Sequence, residues 1–139
     1  MSIKEKQTLL ARYRLQQANE SLEEAKYLFS GHKSLRSVMN RVYYSMYYAV
    51  LALLIFESFV SSKHIGIISF FNKQFIKEGI FPKQMGRWLN KAFDMRQIGD
   101  YREYIELSSE QVEPFLEFSQ IFIKNIEEYL DKTALLNAS

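Results

Sequence analysis

The chain contains no cysteine and only five glycines and two prolines among its 139 residues. The absence of cysteine excludes disulfides, thiolate nucleophiles and cysteine-ligated zinc, and it suits a reducing cytoplasm. So few glycines and prolines favour long helices over many short strands and turns. The first residues, MSIKEKQTLL, also lack the apolar run of a signal peptide. We therefore expect a cytoplasmic protein rich in helix.

Long apolar runs are also missing. The most apolar stretch, residues 42–56, is interrupted by four tyrosines and a serine, and it is shorter than the roughly 18–20 apolar residues that a spanning helix needs. Apolar residues make up 47% of the chain and charged residues 24%, which is typical of a soluble globular domain. The net charge of +2 is too small to indicate nucleic-acid binding by itself.

The hydrophobic period predicts an all-α protein with five helices and no strand. The predicted helices span residues 4–29, 35–56, 62–77, 82–95 and, after a capping box formed by Ser108 and Gln111, 109–130. Gly31 and Gly79 are predicted to cap helices, and Gly99 interrupts the period after the fourth one. We expect one domain over residues 1–131 and a frayed tail over 132–139.

Several common catalytic signatures are absent as well. The sequence has no glycine-rich phosphate loop and no paired-histidine metal motif, and its only histidines are His32 and His64. We therefore expect neither a metal nor a cofactor. Three polar features stand out against this background.

The first feature is Arg41, the only formal charge from Ser37 to Phe56. Steps of three, four and seven residues place Tyr44, Ser45 and Tyr48 on the same helical face as Arg41. Because arginine keeps its charge, a buried Arg41 needs a carboxylate, carbonyl groups or a bound anion. The sequence leaves two interpretations open: an internally paired arginine in the bundle, or a site where arginine binds phosphate and tyrosines stack on bases.

The second feature is the segment FDMRQIGDY. The apolar stripe of the fourth helix, continued from Met85 and Leu89, reaches Arg96, which is therefore predicted to face the bundle or a cleft at its end. Asp100 and Tyr101 follow within reach of Arg96. These residues are candidates for a binding site, and a purely structural Arg96–Asp100 pair is the alternative.

The third feature is His64, which begins the third helix on the same stripe as Ile68. A single histidine at such a position is more often a capping or hydrogen-bonded core residue than a catalyst. Its ordinary pKa of about 6.5 nevertheless allows acid–base chemistry. His64 could assist catalysis only if the fold brings it near Arg41 or Arg96.

Three ordered segments, NRVYYSMYYAVLALL, KHIGIISFFNKQFIKEGIF and GRWLNKAFDMRQIGDY, resemble a prokaryotic branch of the HEPN (higher eukaryotes and prokaryotes nucleotide-binding) domains. The resemblance covers the chain from the first helix to about Leu130. It implies an up-and-down bundle of four main helices plus a short one, usually homodimeric. It also implies a partner protein, a minimal nucleotidyltransferase, often in a toxin–antitoxin pair.

Many HEPN proteins are metal-independent ribonucleases, in which an arginine is followed four to six residues later by a histidine. Here Tyr48 follows Arg41 after six intervening residues, and Tyr101 follows Arg96 after four. Neither arginine has its histidine, and a tyrosine with a pKa near about 10 is a poor general base at neutral pH. The resemblance therefore transfers a candidate nucleotide- or RNA-binding cluster, with Arg96, Tyr101 and His64 as catalytic candidates. The residues of the binding cluster are Arg41, Tyr44, Tyr48, Arg96, Asp100 and Tyr101.

Three functions remain open at this point. The leading one is a HEPN module that binds a nucleotide or single-stranded RNA and pairs with a nucleotidyltransferase. The second is a metal-independent endoribonuclease toxin, and the third is a non-catalytic helical scaffold that binds only protein.

Overall fold

The computed structural model of the chain describes residues 1–57, 61, 63–101 and 106–133, and over 98–101 only the backbone is considered. All regular structure in these residues is helical, which confirms the all-α prediction. The helices are α1 (Ile3–Ser30), α2 (Leu35–Leu54), α3 (His64–Phe71), α4 (Lys83–Tyr101), α5 (Ser109–Val112) and α6 (Pro114–Lys132), and a π-helical turn (Asn72–Ile76) extends α3.

The four long helices α1, α2, α4 and α6 form the bundle, and α2 lies at its centre. Helix α2 contacts α1, α3, α4, α5 and α6, and its buried residues occur around most of its circumference. This burial confirms the expectation from its nearly continuous apolar sequence. None of the helices in the described ranges is both long enough and apolar enough to cross a membrane.

Helix α1 runs antiparallel to both of its neighbours. Near its start, Gln7 donates a hydrogen bond to the Ile55 carbonyl, just after the end of α2. On the other side, Lys26 contacts Gln120 near the beginning of α6. Its buried stripe includes Ala18 and Ala25, which are fully buried. Because these side chains are small, the helices can approach α1 closely.

Helix α3 and its π-helical turn correspond to the predicted third helix. The regular helix begins at His64, and the predicted first residue, Ser62, lies outside the described residues. The amide of Lys77 donates to the Asn72 carbonyl at 2.8 Å, which is the wider i to i+5 bond of a π-helix. The periodicity did not indicate this change. Gly79 then ends the segment with φ of +77°, which confirms its predicted role as a helix cap.

One predicted helix end is wrong, and one predicted cap is confirmed with a conformation other than the left-handed one. Helix α4 continues through Gly99 to Tyr101 instead of ending at Met95, because one glycine costs a helix only about 1 kcal/mol. At the end of α1, Gly31 is the cap residue, as predicted, with φ of −85°. The left-handed conformation belongs to His32, with φ of 55°.

The capping box of Ser108 and Gln111 is confirmed. The helix that it begins is only four residues long, because Pro114 starts a new helix and cannot donate the next backbone hydrogen bond. The predicted last helix is therefore α5 followed by α6. Of the predicted tail, Lys132 still belongs to α6, and residues 134–139 lie outside the described residues.

Candidate functional site

The centre of the candidate site is an aromatic stack between α2 and the first residue of α3. The imidazole of His64 lies parallel to the Tyr47 ring, with 4.2 Å between the ring centroids and 13° between the planes. The Tyr43 hydroxyl and His64 Nδ1 share a hydrogen bond of 2.8 Å. Tyr43 and Tyr47 are four residues apart, so they stand on one face of α2 and hold the imidazole from two positions.

Arg96 approaches this stack from α4. The carbon at the centre of its guanidinium lies 5.5 Å from the centroid of the Tyr43 ring and 5.2 Å from that of Tyr44. Both distances are within the range of a cation–π interaction. The buried stripe of α4, which includes Leu89 and Ala92, leads to Arg96 and turns its side chain toward α2. Its predicted orientation toward the bundle is thus confirmed.

Tyr44 and Tyr48 form the half-buried outer edge of the cluster. Their ring centroids are 5.8 Å apart, and Tyr44 also meets His64 edge-to-face at 5.9 Å. The guanidinium of Arg41 lies 5.6 Å from the Tyr44 ring. Tyr44 is therefore in contact with Arg41 and Arg96 at once, and its ring connects the two.

Arg41 itself is paired within the protein. Its guanidinium lies 3.6 Å from a carboxylate oxygen of Glu24 on α1, and it donates two hydrogen bonds to Asn40 Oδ1 at 2.8 and 3.3 Å. The side chains of Arg41 and Glu24 are 32% and 59% exposed. Of the two interpretations of Arg41 that the sequence leaves open, these contacts favour the internally paired arginine. Arg41 lies at the edge of the aromatic cluster.

Burial keeps the aromatic groups of the site neutral. Desolvation raises the pKa of Tyr43 well above the ordinary tyrosine value, and the neighbouring Tyr47 phenol adds to the rise while Arg96 opposes it. Burial likewise raises the pKa of Tyr47. The pKa of His64 is lowered below its ordinary value, mainly by burial and to a smaller extent by the charge of Arg96. The imidazole is therefore uncharged near neutral pH, with one ring nitrogen able to accept a proton.

Two members of this cluster are absent from the predicted site residues. Tyr43 and Tyr47 are buried, yet both contact His64. One feature of the sequence could have indicated them: a tyrosine in a buried helix needs a hydrogen-bond partner for its hydroxyl. Arg14 on α1 is a neighbour of the cluster rather than part of it: its charge acts on Tyr47 and opposes the rise of that phenol's pKa. Nothing in the local sequence of α1 relates Arg14 to α2.

One residue of the predicted stripe faces elsewhere. Ser45 is completely buried, donates to the Val42 carbonyl at 2.6 Å, and contacts the Ser119 hydroxyl on α6. Ser45 therefore belongs to the core between α2 and α6. The side chains of Asp100 and Tyr101 lie outside the described residues, so their predicted roles stay predictions.

The polar groups of the described site are phenols, one imidazole and guanidinium groups. This set suits an anionic or aromatic ligand. Over the described ranges, no three histidine or carboxylate side chains come together in a way that could hold a metal ion.

Comparison with known proteins identifies related sequences. The profile of the HEPN domain family matches residues 11–129. A UPF0332 protein of Thermotoga maritima is 35% identical over 127 residues, which are 91% of this chain and 95% of that protein. Two Methanocaldococcus jannaschii proteins carry the name "Putative toxin". One is 33% identical, covering 84% of this chain and 78% of its own length, and the other is 30% identical, covering 81% and 83%.

Proposed function

This chain belongs to the HEPN domain family, and on that premise we propose that it is a toxin-like module that binds single-stranded RNA. The names of the two Methanocaldococcus jannaschii relatives support the toxin-like character. The proposal includes the two partners that the family resemblance implies, namely a second copy of this chain and a minimal nucleotidyltransferase that acts as the antitoxin.

The observation that carries the proposal is the position of Arg96 beside three aromatic rings. Its guanidinium lies within 5.5 Å of the centroids of Tyr43 and Tyr44, and His64 stacks next to them. An arginine offers a forked set of N–H donors to a phosphate. A half-buried tyrosine such as Tyr44 offers a ring face on which an unpaired base can stack, whatever its sequence.

The test measures binding of short single-stranded RNA by fluorescence anisotropy. We expect Arg96→Ala to weaken binding about tenfold or more, because it removes a charged phosphate contact. Arg87→Ala is the matched control, since Arg87 is an exposed arginine on the same helix. Equal affinities of the two variants and the unmutated protein would contradict the proposed site. If no RNA binds at all, the protein-binding scaffold becomes the better explanation.

The partners can be tested separately. Light scattering of the purified chain should give the mass of two copies, against 16.5 kDa for one. A small nucleotidyltransferase encoded by the adjacent reading frame should copurify with the chain when the two are expressed together. A monomer in solution, or separate elution of the two proteins, would remove the corresponding part of the proposal.

A second candidate function, metal-independent RNA cleavage, is favoured by His64. The family's arginine–histidine pair is missing along the helix, but the fold brings a histidine from α3 beside Arg96. In the tautomer in which Nδ1–H donates to the Tyr43 hydroxyl, the lone pair on Nε2 can accept the proton of a ribose 2′-hydroxyl. That oxygen would attack the adjacent phosphorus, the bond to the 5′-oxygen would break, and the leaving oxygen would take the proton back from His64. Arg96 would stabilise the charge on the phosphoryl oxygens.

Cleavage is tested by incubating RNA with the protein in the presence of a chelator. The expected products carry a 2′,3′-cyclic phosphate and a 5′-hydroxyl, and His64→Gln should reduce the rate by a factor of about 100 or more. The same variant should keep its affinity for RNA within about threefold, because Arg96 and the tyrosines remain. If the chain binds RNA but yields no such products, its function is binding alone.

A further inference from the structure

A groove continues from the aromatic stack by one helical turn. Leu51 follows Tyr47 by four residues on α2, and Ile67 follows His64 by three on α3, so both lie directly beyond the stacked pair. These two side chains and Arg14 are part of the lining of a groove of about 460 Å³ between α1, α2 and α3. The stack is thus a boundary shared by the candidate site and this groove.

Arg14 provides the charge at the near end of the groove. The side chain is half-buried and belongs to the groove lining on α1, and its charge acts on the Tyr47 phenol. One of its terminal nitrogens donates to Gln17 Oε1 at 2.7 Å. A guanidinium has several N–H groups, so further donors can bind a phosphate.

The rest of the groove is mostly apolar. Leu10, which is 43% exposed, belongs to its lining together with Leu51 and Ile67. Among the described lining residues, the one carboxylate is that of Glu57, which lies at the opposite end, where α1 meets the end of α2 through the Gln7–Ile55 hydrogen bond. The charges therefore favour a ligand whose anionic group is near Arg14 and whose apolar face lies along the leucines.

We propose that this groove binds the nucleotide adjacent to the one held at Arg96, with Arg14 on its phosphate and Leu10, Leu51 and Ile67 against its base. The inference rests on the proposed function. Arg14 and Arg96 then contact successive phosphates on either side of the Tyr47–His64 pair. The ligand class is single-stranded RNA of at least two nucleotides, because a base can enter the groove only when it is unpaired and unstacked from its neighbour.

The experiment compares a mononucleotide with a single-stranded RNA dinucleotide that carries a 5′-phosphate, using calorimetry on the full chain. Arg14→Ala should weaken binding of the dinucleotide about tenfold and leave mononucleotide binding unchanged. Leu51→Asn should weaken the dinucleotide alone as well. Arg12→Ala is the matched control: it removes the same charge from the same helix, where Arg12 lies beside Glu127 and Asp131 of α6.

The outcomes separate this inference from the proposed function. If Arg96→Ala weakens both ligands and Arg14→Ala weakens neither, the RNA site stands and the second subsite is wrong. An equal loss for both ligands in Arg14→Ala, or an equal loss in Arg12→Ala, would also overturn the subsite, since either result indicates a general charge effect. If the unmutated chain binds neither ligand, the proposed function fails and the inference fails with it. Thermal melting of each variant checks that it is folded.

Discussion

At the scale of single residues, the Tyr43 phenol organises the site. Its ring is fully buried and packs against Phe93 at 5.6 Å between centroids, while its hydroxyl reaches His64 at the surface end of the stack. A buried hydroxyl without a partner costs about 1–3 kcal/mol, so the hydrogen bond to Nδ1 stabilises the core. The same hydrogen bond orients the imidazole. One residue thereby connects the packing of α2 to the chemistry of α3.

We predict that His64 makes the free energy of unfolding depend on pH. Because burial and Arg96 lower its pKa in the folded state, the unfolded chain binds a proton more readily. Stability from this residue is present above the ordinary histidine pKa of about 6.5 and is lost as pH falls below it. Urea unfolding between about pH 7 and pH 5 should show a smaller loss of stability in His64→Gln than in the unmutated protein.

His32→Asn is the control for this prediction. His32 is exposed, and asparagine tolerates its positive φ better than most residues do. This control shows whether a change in the pH dependence is specific to His64. If His64→Gln and the unmutated chain lose stability in parallel, then His64 is not the group that titrates in this range.

We predict a small effect for Arg41→Leu. A fully buried arginine that left an unpaired carboxylate behind would cost about 3–5 kcal/mol when removed. The Arg41–Glu24 pair is half-exposed instead, so its loss should lower the free energy of unfolding by no more than about 1 kcal/mol. A double-mutant cycle with Glu24→Gln, followed by urea unfolding, measures the pair alone, and a coupling above about 2 kcal/mol would contradict the prediction.

At the scale of helices, a short chain of hydrogen bonds joins α2 to α6 inside the core. Ser119 can donate to the Ser45 hydroxyl, which in turn donates to the Val42 carbonyl. Both serines are completely buried. Two polar groups that satisfy each other in this way fix the rotation of the two helices, because a turn of either helix would leave a buried hydroxyl without a partner.

This chain of hydrogen bonds predicts unequal effects of two similar substitutions. Ser45→Ala leaves the Ser119 hydroxyl without its partner and should cost about 1–3 kcal/mol. Ser119→Ala leaves Ser45 bonded to Val42 and should cost less, about 1 kcal/mol or below. The double variant should be more stable than the sum of the two losses implies, as measured by urea unfolding. Strictly additive losses would show that the two hydroxyls do not interact.

Helices α2 and α4 show how far the sequence can be used for prediction. Its period identified α2 as the buried centre and Arg96 as inward-facing, because apolar spacing reports which face of a helix is covered. It assigned Ser45 to the wrong face, since a helix buried nearly all round has no clear polar side. It could not place His64 against Tyr47, or Arg14 near it, because those contacts depend on how α1, α2 and α3 pack in space.

At the scale of the whole molecule, packing in the core also holds the helix that carries His64. Phe122 of α6 is fully buried and packs on Phe71 at 5.6 Å between ring centroids. Phe71 is the last residue of α3, whose first residue is His64. A defect at Phe122 therefore disturbs the helix that positions the imidazole, although the two residues belong to different layers of the bundle.

We predict that Phe122→Ala lowers the free energy of unfolding by about 3–5 kcal/mol, because it leaves a cavity between α3 and α6. For a domain of this size the melting temperature should fall by about 10 °C or more. Phe118→Ala is the control on the same helix. Phe118 is half-buried and stacks on Trp88 at 4.7 Å, so its loss should cost clearly less. Equal melting temperatures for the two variants would contradict the proposed support.

Because the residues of the site lie on separate helices, they are synthesised at different times during translation. The ribosome makes Arg14 first, then the tyrosines of α2, then His64, and Arg96 only after about two-thirds of the chain. Until α4 has been synthesised and has packed on α2, a nascent chain has no guanidinium beside the Tyr43–His64 pair. A protein proposed to act on RNA thus cannot engage its own messenger through this site while the first three helices are being translated.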